Sequence, residues 1–415
     1  GEVVQVASYN DVDAVVGAAL DAKCDAIHPG YGFLSESAAL AERCESAGVT
    51  FVGPTAETLA TLGDKVTARQ LAQRLGVPVA PASDAPCADA SEVRAAMHAH
   101  GLSYPVMLKA VGGGGGRGMR PVESDAELDG AFATCVREAD ASGARGGVFV
   151  EQLLTGVRHV EVQLLGDGKG GLVHLHEREC SVQRRRQKLI EACPALGLSD
   201  TTLESMYAHA LAMGSACGYR SAGTCEFLVD GAGDEAVFLE FNPRVQVEHT
   251  VSEEATGVDI VRSQLLVAGG ATLESLGLTQ DRIRITSAAM QARVQMTAAG
   301  RVGAYAEPGG PGVRVDGCLY AGYEPPTMYD PLLLKVIARA DTIGRTPAES
   351  LAAARKRLQR ACAELHLGGT IQANEADLTA ILASPIFARG EWTTGLLDEP
   401  DGGRLLDGGH KETPM

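Results

Sequence analysis

The sequence predicts an α/β unit that passes into an α+β body, and three observations carry that prediction. Helix and strand patterns alternate over residues 1–54. A run of glycines sits between two strand patterns at residues 112–118. From Arg158 the chain changes to strict apolar–polar alternation.

Asp11 caps a predicted helix reaching Lys23, with Val12, Val15, Val16, Ala19 and Leu20 on one face. The apolar pair Ala26-Ile27 enters the loop His28-Pro29-Gly30-Tyr31-Gly32. A second helix runs through Glu45, and Val49–Val52 reads as a buried strand closed by Gly53-Pro54, so a parallel sheet is expected here. Thr55–Leu75 is helical in pattern, interrupted near Gly63-Asp64-Lys65, and Pro78, Pro81 and Pro86 mark a boundary. A small module follows: a strand at Pro105–Ala110, the glycine run, a helix over Ala126–Ala139 and a strand at Gly147–Glu151. From Arg158, Val160, Val162 and Leu164 face one way and His159, Glu161 and Gln163 the other, which predicts a half-buried strand of a largely antiparallel sheet. Val173, Ala222–Leu228 and Ala236–Phe241 supply further strands. Ile283–Ile337 reads as short strands with turns, Pro347–Leu365 as a helix, and the Gly- and charge-rich stretch from Asp398 as a loose tail.

A chain of 415 residues has room for two or three domains. Its net charge of −17 and 4% aromatic content argue against nucleic acid as a partner, since affinity for phosphate backbones comes from Lys and Arg. A local basic pocket for a small anion remains compatible with that balance. The ten cysteines are spread singly without a CxxC pair, so zinc is not expected and a reducing compartment is, the cytoplasm or an organelle matrix. No apolar run is long enough to span a bilayer. The opening Gly1-Glu2-Val3-Val4 reads as the middle of a fold, so an N-terminal truncation is expected.

Several groups of residues can carry chemistry. The glycine run follows Lys109 at a strand end and lets backbone N–H groups approach phosphate oxygens; without a following Gly-Lys-Ser/Thr it is not a Walker loop, and it reads as a lid or as a plain linker. Glu240 and Asn242 share one face of a strand and Glu226 lies on another, a set that suits Mg²⁺ with nucleotide phosphates or, taken singly, solvent-facing acids. Arg244, Gln246 and Glu248 alternate with valines. If extended they line one face, where Arg holds a carboxylate or bicarbonate and Glu248 takes a proton; the plain alternative is an amphipathic edge strand. The stretch Gln183–Lys188 is a local basic cluster, a solvated face or an anion site. His159, by its position alone, reads as a structural histidine.

Taken together these strings resemble the biotin carboxylase family of the ATP-grasp superfamily: HPGYGFLSE from His28, GDK ending at Lys65, GGGGGRGMR from Gly112, RHVEVQ from Arg158, ECSVQRR from Glu179 and EFNPRVQVEHTV from Glu240. They keep the family order over nearly the whole chain. The resemblance implies a truncated Rossmann-like N-terminal domain over 1–54, an ATP-grasp domain over 55–268 with a mobile lid at about 80–152, a C-terminal domain over 283–396 and a loose tail over 397–415. It implies that Lys65, Lys109, Gly114, Gly115, Gly116, His159, Gln183 and Arg186 contact ATP, with Glu151 and Leu154 at the adenine hinge. Glu226, Glu240 and Asn242 would hold two Mg²⁺ or Mn²⁺ ions. Lys188, Arg244, Gln246 and the Val247 backbone would bind bicarbonate, with Glu248 as base. Arg314 would stabilise the biotin enolate, with Tyr31 near the biotin.

The sequence also departs from the family pattern. The opening strand with its Arg-Gly-Glu-Ile-Ala string is absent, Arg186 stands where His is usual, and Gln152 replaces a Lys. Gln291–Gly303 is short and lacks the Cys-Arg-Ile-Asn-Ala-Glu pattern, which points to multidomain acyl-CoA carboxylases. No Ala-Met-Lys-Met string is present, so biotin is expected on a separate carrier segment, with a carboxyltransferase as a further partner and a homodimer as the assembly. A carbamoyl-phosphate-synthetase-like ligase and an inactive scaffold are the alternatives.

Overall fold

The computed structural model describes residues 2–111, 118–141 and 146–398. Asp11 caps the first helix, α1 (Val12–Asp21), by accepting from the Ala14 amide. The strands β1 (Ala26–Ile27) and β2 (Thr50–Phe51) pair in parallel, with α2 (Ala38–Ser46) between them. Val16, Leu40, Phe51 and Leu59 form the core of this unit. The interruption at Gly63-Asp64 is a helix junction: α3 (Ala56–Leu62) ends, and Asp64 caps α4 (Lys65–Arg74) through the Thr67 amide at 2.8 Å. Lys65 therefore opens a helix at a defined place.

Next comes a small module of α5 (Ala90–Ala99), β3 (Val106–Ala110), β4 (Met119–Val122), α6 (Asp125–Ala141) and β5 (Val148–Gln152), with strand order β4-β3-β5. It has its own core of Val93, Leu108, Val122, Leu128 and Val150. Helix α5 has no counterpart in the sequence reading, where three prolines mark a boundary; the Asp89 cap and the spacing of Ala90, Val93 and Met97 are the local signal for it. The glycine run at 112–117 lies outside the described residues.

The body is a nine-stranded sheet whose strands pair antiparallel. In spatial order it runs β10 (Ala236–Asn242), β9 (Arg220–Val229), β6 (Arg158–Asp167), β7 (Leu172–Arg184), β8 (Gln187–Cys193), β11 (Ser287–Ala298), β14 (Leu332–Asp341) and β13 (Val313–Gly317), with β16 (Gln372–Ala373) paired to β11. The half-buried strand expected at Arg158 is corrected: every residue of β6 is buried. Its apolar side packs with Phe227, Phe241 and Met206 beneath α7 (Asp200–Ala216), and its polar side is covered by charged neighbours. The short strands expected over 283–337 are found at Val302–Ala306 and in β13, with 5 residues each, and corrected for β11 and β14, which have 12 and 10. Both are buried over most of their length on both faces, which removes the alternation that marks a strand.

Helix α10 (Pro347–Glu364) opens with a capping box between Thr346 and Glu349 and packs Leu351, Leu358 and Ala361 into a core with Phe387, Trp392, Leu396 and Leu397. The tail from 399 lies outside the described residues. Among the described residues no helix is long and apolar enough to cross a membrane.

Candidate active site

Strands β9 and β10 place Glu226 and Glu240 directly opposite one another. Like charges in that register repel, so they need cations. Lys65 at the start of α4 reaches Glu240 Oε2 at 2.9 Å, and its charge holds the Glu240 carboxyl below the usual range. Burial would raise the Glu226 carboxyl, but Lys188 and His159 outweigh it and hold it well below that range. Asn242 joins the pair, donating Nδ2 to Glu226 Oε1 at 2.9 Å.

Lys188, near the start of β8, is the centre of the cluster. Its ammonium lies 2.6 Å from Glu161 Oε2, 3.2 Å from Glu226 Oε1 and 2.6 Å from Glu248 Oε1. Burial would lower its pKa, yet these three carboxylates hold it well above its ordinary value. Glu248 is 2% exposed; burial pushes its carboxyl up, and Lys188, Arg293 and Arg178 together pull it below the usual range. Gln246 donates to Glu226 Oε1 at 2.7 Å and accepts from Arg178 at 2.8 Å. Arg244 pairs with Glu36 at 2.6 Å and donates to Asn242 Oδ1 at 3.0 Å.

The stretch from Arg244 to Glu248 is not the extended strand expected of it. It is a loop between β10 and α8 (His249–Thr256), and Glu248 is the residue that precedes that helix. Its polar side chains still converge, because the loop folds over the charged side of the sheet.

A cavity of about 560 Å³ adjoins this cluster, lined among others by Lys65, Arg69, Lys109, Glu151, Glu240 and Asn242. Lys109 on β3 ion-pairs with Glu151 on β5. His159 shares its Nδ1 with Gln183 at 2.8 Å. Its Nε2 lies 2.8 Å from Glu226 Oε2 but has no aligned hydrogen-bond partner among the described residues.

Other predicted residues lie apart from the cluster. Arg314 on β13 is held by Glu253 at 2.8 Å and Asp316 at 2.8 Å. Val247 offers its carbonyl to Lys335 at 2.9 Å. Tyr31 is 42% exposed, with Asp330, Arg293 and Glu248 among the charges it senses. Leu154 is half-buried just beyond β5 and is not part of the cavity lining. Arg186 is exposed in the two-residue β7–β8 turn, where Arg185 and Arg186 have φ of 51° and 65°. Gly114, Gly115 and Gly116 lie outside the described residues.

The sequence reading missed five participants, Glu36, Glu161, Arg178, Glu191 and Arg293. Glu161 shares the polar face of β6 with His159, a signal already present in the alternation. Arg178 is 0% exposed and serves Glu161, Gln163, Thr224, Ser252 and Gln246. Glu36 is the last residue of the HPGYGFLSE string, where it was given no role. Arg293 alternates with Gln291 and Gln295 on β11, and that spacing could have shown it.

Around Lys188 the carboxylates Glu161, Glu191, Glu226, Glu240 and Glu248 meet the fixed cations Lys65, Arg178, Lys188 and Arg293. The excess of negative charge and the hard oxygen donors of Glu226, Glu240 and Asn242 fit a divalent cation such as Mg²⁺. The unsatisfied His159 Nε2 fits an acceptor such as a phosphate oxygen.

Residues 1–59 match the family described as biotin carboxylase, N-terminal domain; residues 64–276 match carbamoyl-phosphate synthase L chain, ATP binding domain; and residues 282–399 match biotin carboxylase C-terminal domain. This succession defines the class by its architecture: an ATP-binding domain of the carbamoyl-phosphate synthase type between the N- and C-terminal domains of a biotin carboxylase. The chain is 44% identical over 369 residues to a biotin carboxylase of Pseudomonas aeruginosa, covering 87% of this chain and 79% of that one. It therefore belongs to the biotin carboxylase family. It is also 44% identical over 411 residues to a pyruvate carboxylase of Aspergillus niger, covering 97% of this chain but spanning only 34% of that relative's length. Among solved structures, the biotin carboxylase domain dimer of the Hydrogenobacter thermophilus 2-oxoglutarate carboxylase, in complex with MgADP, ADP and bicarbonate, superposes with a TM-score of 0.89 at 34% identity. That likeness covers 99% of this chain and 88% of the other.

Proposed function

We propose that this chain uses ATP to activate bicarbonate and carboxylates biotin presented on a carrier. The observation that carries the reading is the Lys188 ammonium shared by Glu161, Glu226 and Glu248, next to a cavity whose wall includes Glu240 and Asn242. We take residues 1–54, 55–268 with a lid at about 80–152, and 283–396 as its three working units.

In this reading Lys65, Lys109 and His159 bind the nucleotide phosphates, with Gln183 orienting His159. Glu226, Glu240 and Asn242 hold Mg²⁺, which when bound neutralises phosphate charge as the γ-phosphoryl group moves. Lys188, Arg244, Gln246 and the Val247 backbone place bicarbonate. Glu248, kept ionised by its cationic neighbours, accepts the bicarbonate proton while the bicarbonate oxygen attacks the γ-phosphorus, giving carboxyphosphate and ADP. Carboxyphosphate separates into CO₂ and phosphate, and the phosphate takes the N1 proton of biotin. Arg314 stabilises the resulting enolate, which attacks CO₂, with Tyr31 at the biotin. The lid at about 80–152 closes over the nucleotide and keeps water from the intermediate.

A biotin carrier and a carboxyltransferase complete the cycle, and a homodimer is the expected assembly. Two of the three relatives named above are a pyruvate and a 2-oxoglutarate carboxylase, which favours a 2-keto acid over an acyl-CoA as the final acceptor.

ADP release with MgATP and bicarbonate, measured with and without free biotin, tests the reading on this chain and on Glu248→Gln. Biotin-stimulated turnover that the substitution abolishes is expected. A folded, ATP-binding chain with no turnover would overturn it in favour of a scaffold role.

A further inference from the structure

Glu248 precedes α8 without capping it through its side chain, so its own helix does not set its orientation. Its two oxygens go to two other elements. Oε1 meets Lys188 on β8 at 2.6 Å, and Oε2 meets Arg293 Nη2 on β11 at 2.9 Å. The two cations differ in kind. The Lys188 ammonium sits on a flexible stem and is shared with two other carboxylates, so an arriving anion can draw on it. Arg293 is locked: its Nε donates to Glu191 Oε1, and Glu191 is fully buried. Glu191 Oε2 accepts from Gln291 at 3.0 Å, directly across the β8–β11 pairing. Gln291 in turn accepts from Thr250, on the helix that Glu248 opens. The chain Glu248–Arg293–Glu191–Gln291–Thr250 is thus a closed ring that returns to its own helix.

We propose that Arg293 is a positioning residue for Glu248, holding Oε2 so that Oε1 is the oxygen offered to bicarbonate. The inference rests on the carboxylase reading above. Glu191 balances the guanidinium, so Arg293 orients the base while sharing its charge with a second carboxylate. Besides Lys188 and Arg293, Arg178 on β7, Arg244 and the like-charged Glu191 bear on Glu248.

The test compares the full chain with Arg293→Lys, with Glu191→Gln and with the double variant Arg293→Met/Glu191→Met. The double variant removes both charges and so leaves no unpaired buried ion at that pair. It should lose about 100-fold in kcat. Its KM for ATP should stay within about twofold, because no ring member is among the nucleotide contacts assigned above. The acid limb of its biotin-dependent turnover should move to higher pH, since Glu248 keeps one fewer cation. Arg293→Lys should recover part of the rate, and Glu191→Gln should move the acid limb the other way. A folded double variant with wild-type kcat and an unmoved acid limb would overturn the role of Arg293 alone. Absence of biotin-stimulated turnover in the unsubstituted chain would overturn the carboxylase reading and this inference with it.

Discussion

On β6 and β9, Val160, Val162, Cys225 and Phe227 enter an apolar core, while Glu161, Gln163, Thr224 and Glu226 enter a lattice of charges. Both sets are buried to 4% exposure or less. The difference lies in what burial demands of each. The apolar side needs volume and shape, and neighbours can shift to fill a defect. The charged side needs every donor and acceptor matched. Arg178 shows the extreme, since its five N–H groups are all spent on Glu161, Gln163, Ser252, Thr224 and Gln246. A lattice this saturated is a fixed scaffold, and Lys188, with three competing partners, is the member that can exchange one for a ligand.

Lys188→Met should break the charged side most severely. It strands Glu161, Glu226 and Glu248 with one cation fewer, at about 3–5 kcal/mol of stability. ADP release should fall below detection, and denaturant unfolding should report the stability loss. Phe227→Ala, on the other side of the same sheet, should cost a comparable 3–5 kcal/mol. Its kcat should nonetheless stay within about twofold wherever the protein is folded, because nothing in the lattice depends on the ring. Equal activity losses in the two variants would mean that the faces are not separable.

The same contrast explains what was legible in the sequence. Helix α1 was readable through its local cap Asp11; Asp64 and Thr346 are equally local caps of α4 and α10 that the reading did not use. Glu240 was reached through a recognisable string, Glu226 through its own strand and Lys188 through the basic cluster Gln183–Lys188, and the structure brings them together. Arg178, Glu161 and Arg293 were not singled out, because pairing between strands distant in sequence creates their roles. Alternation on β6 showed that His159, Glu161 and Gln163 share a side. It could not show that the side is buried, since polar residues there ordinarily mean solvent. For Arg314 and Arg186 the family resemblance located the residues, and the structure holds each of them away from the carboxylate cluster.

Acid should act on histidine before it reaches the carboxylate lattice. His249, 9% exposed at the start of α8, is lowered to about 4 chiefly by burial and then by Lys335. The unfolded chain takes up that proton near pH 6.5, so the stabilisation is complete above 6.5 and is lost as pH falls toward 4. At pH 4 the loss from this one group reaches about 3 kcal/mol. Glu226, Glu240 and Glu248 are held below the usual carboxylate range and titrate later. His249→Gln should therefore flatten the pH dependence of the unfolding free energy between 6.5 and 4 while leaving the steeper fall below pH 4. An unchanged slope would assign that window to His174, which burial likewise lowers to about 4.

The smallest effect is expected away from both faces, at Gln152 on the edge of the small module. Its amide makes three bonds to backbone: Oε1 accepts from the Ser103 amide at 3.1 Å, and Nε2 donates to the Ser103 carbonyl at 2.9 Å and to the Pro105 carbonyl at 3.0 Å. A Gln at this position thus ties the end of β5 to the entry of β3. The bonds are only partly buried, so Gln152→Ala should cost about 1 kcal/mol, confined to the module. Faster hydrogen exchange at the Ser103 amide, with global stability unchanged, is the expected signature. ATP affinity should fall by no more than about twofold, because Lys109 and Glu151 keep their own pairing across β3 and β5. A tenfold loss of ATP affinity would instead place Gln152 at the nucleotide and tie the module's edge to the charged side of the sheet.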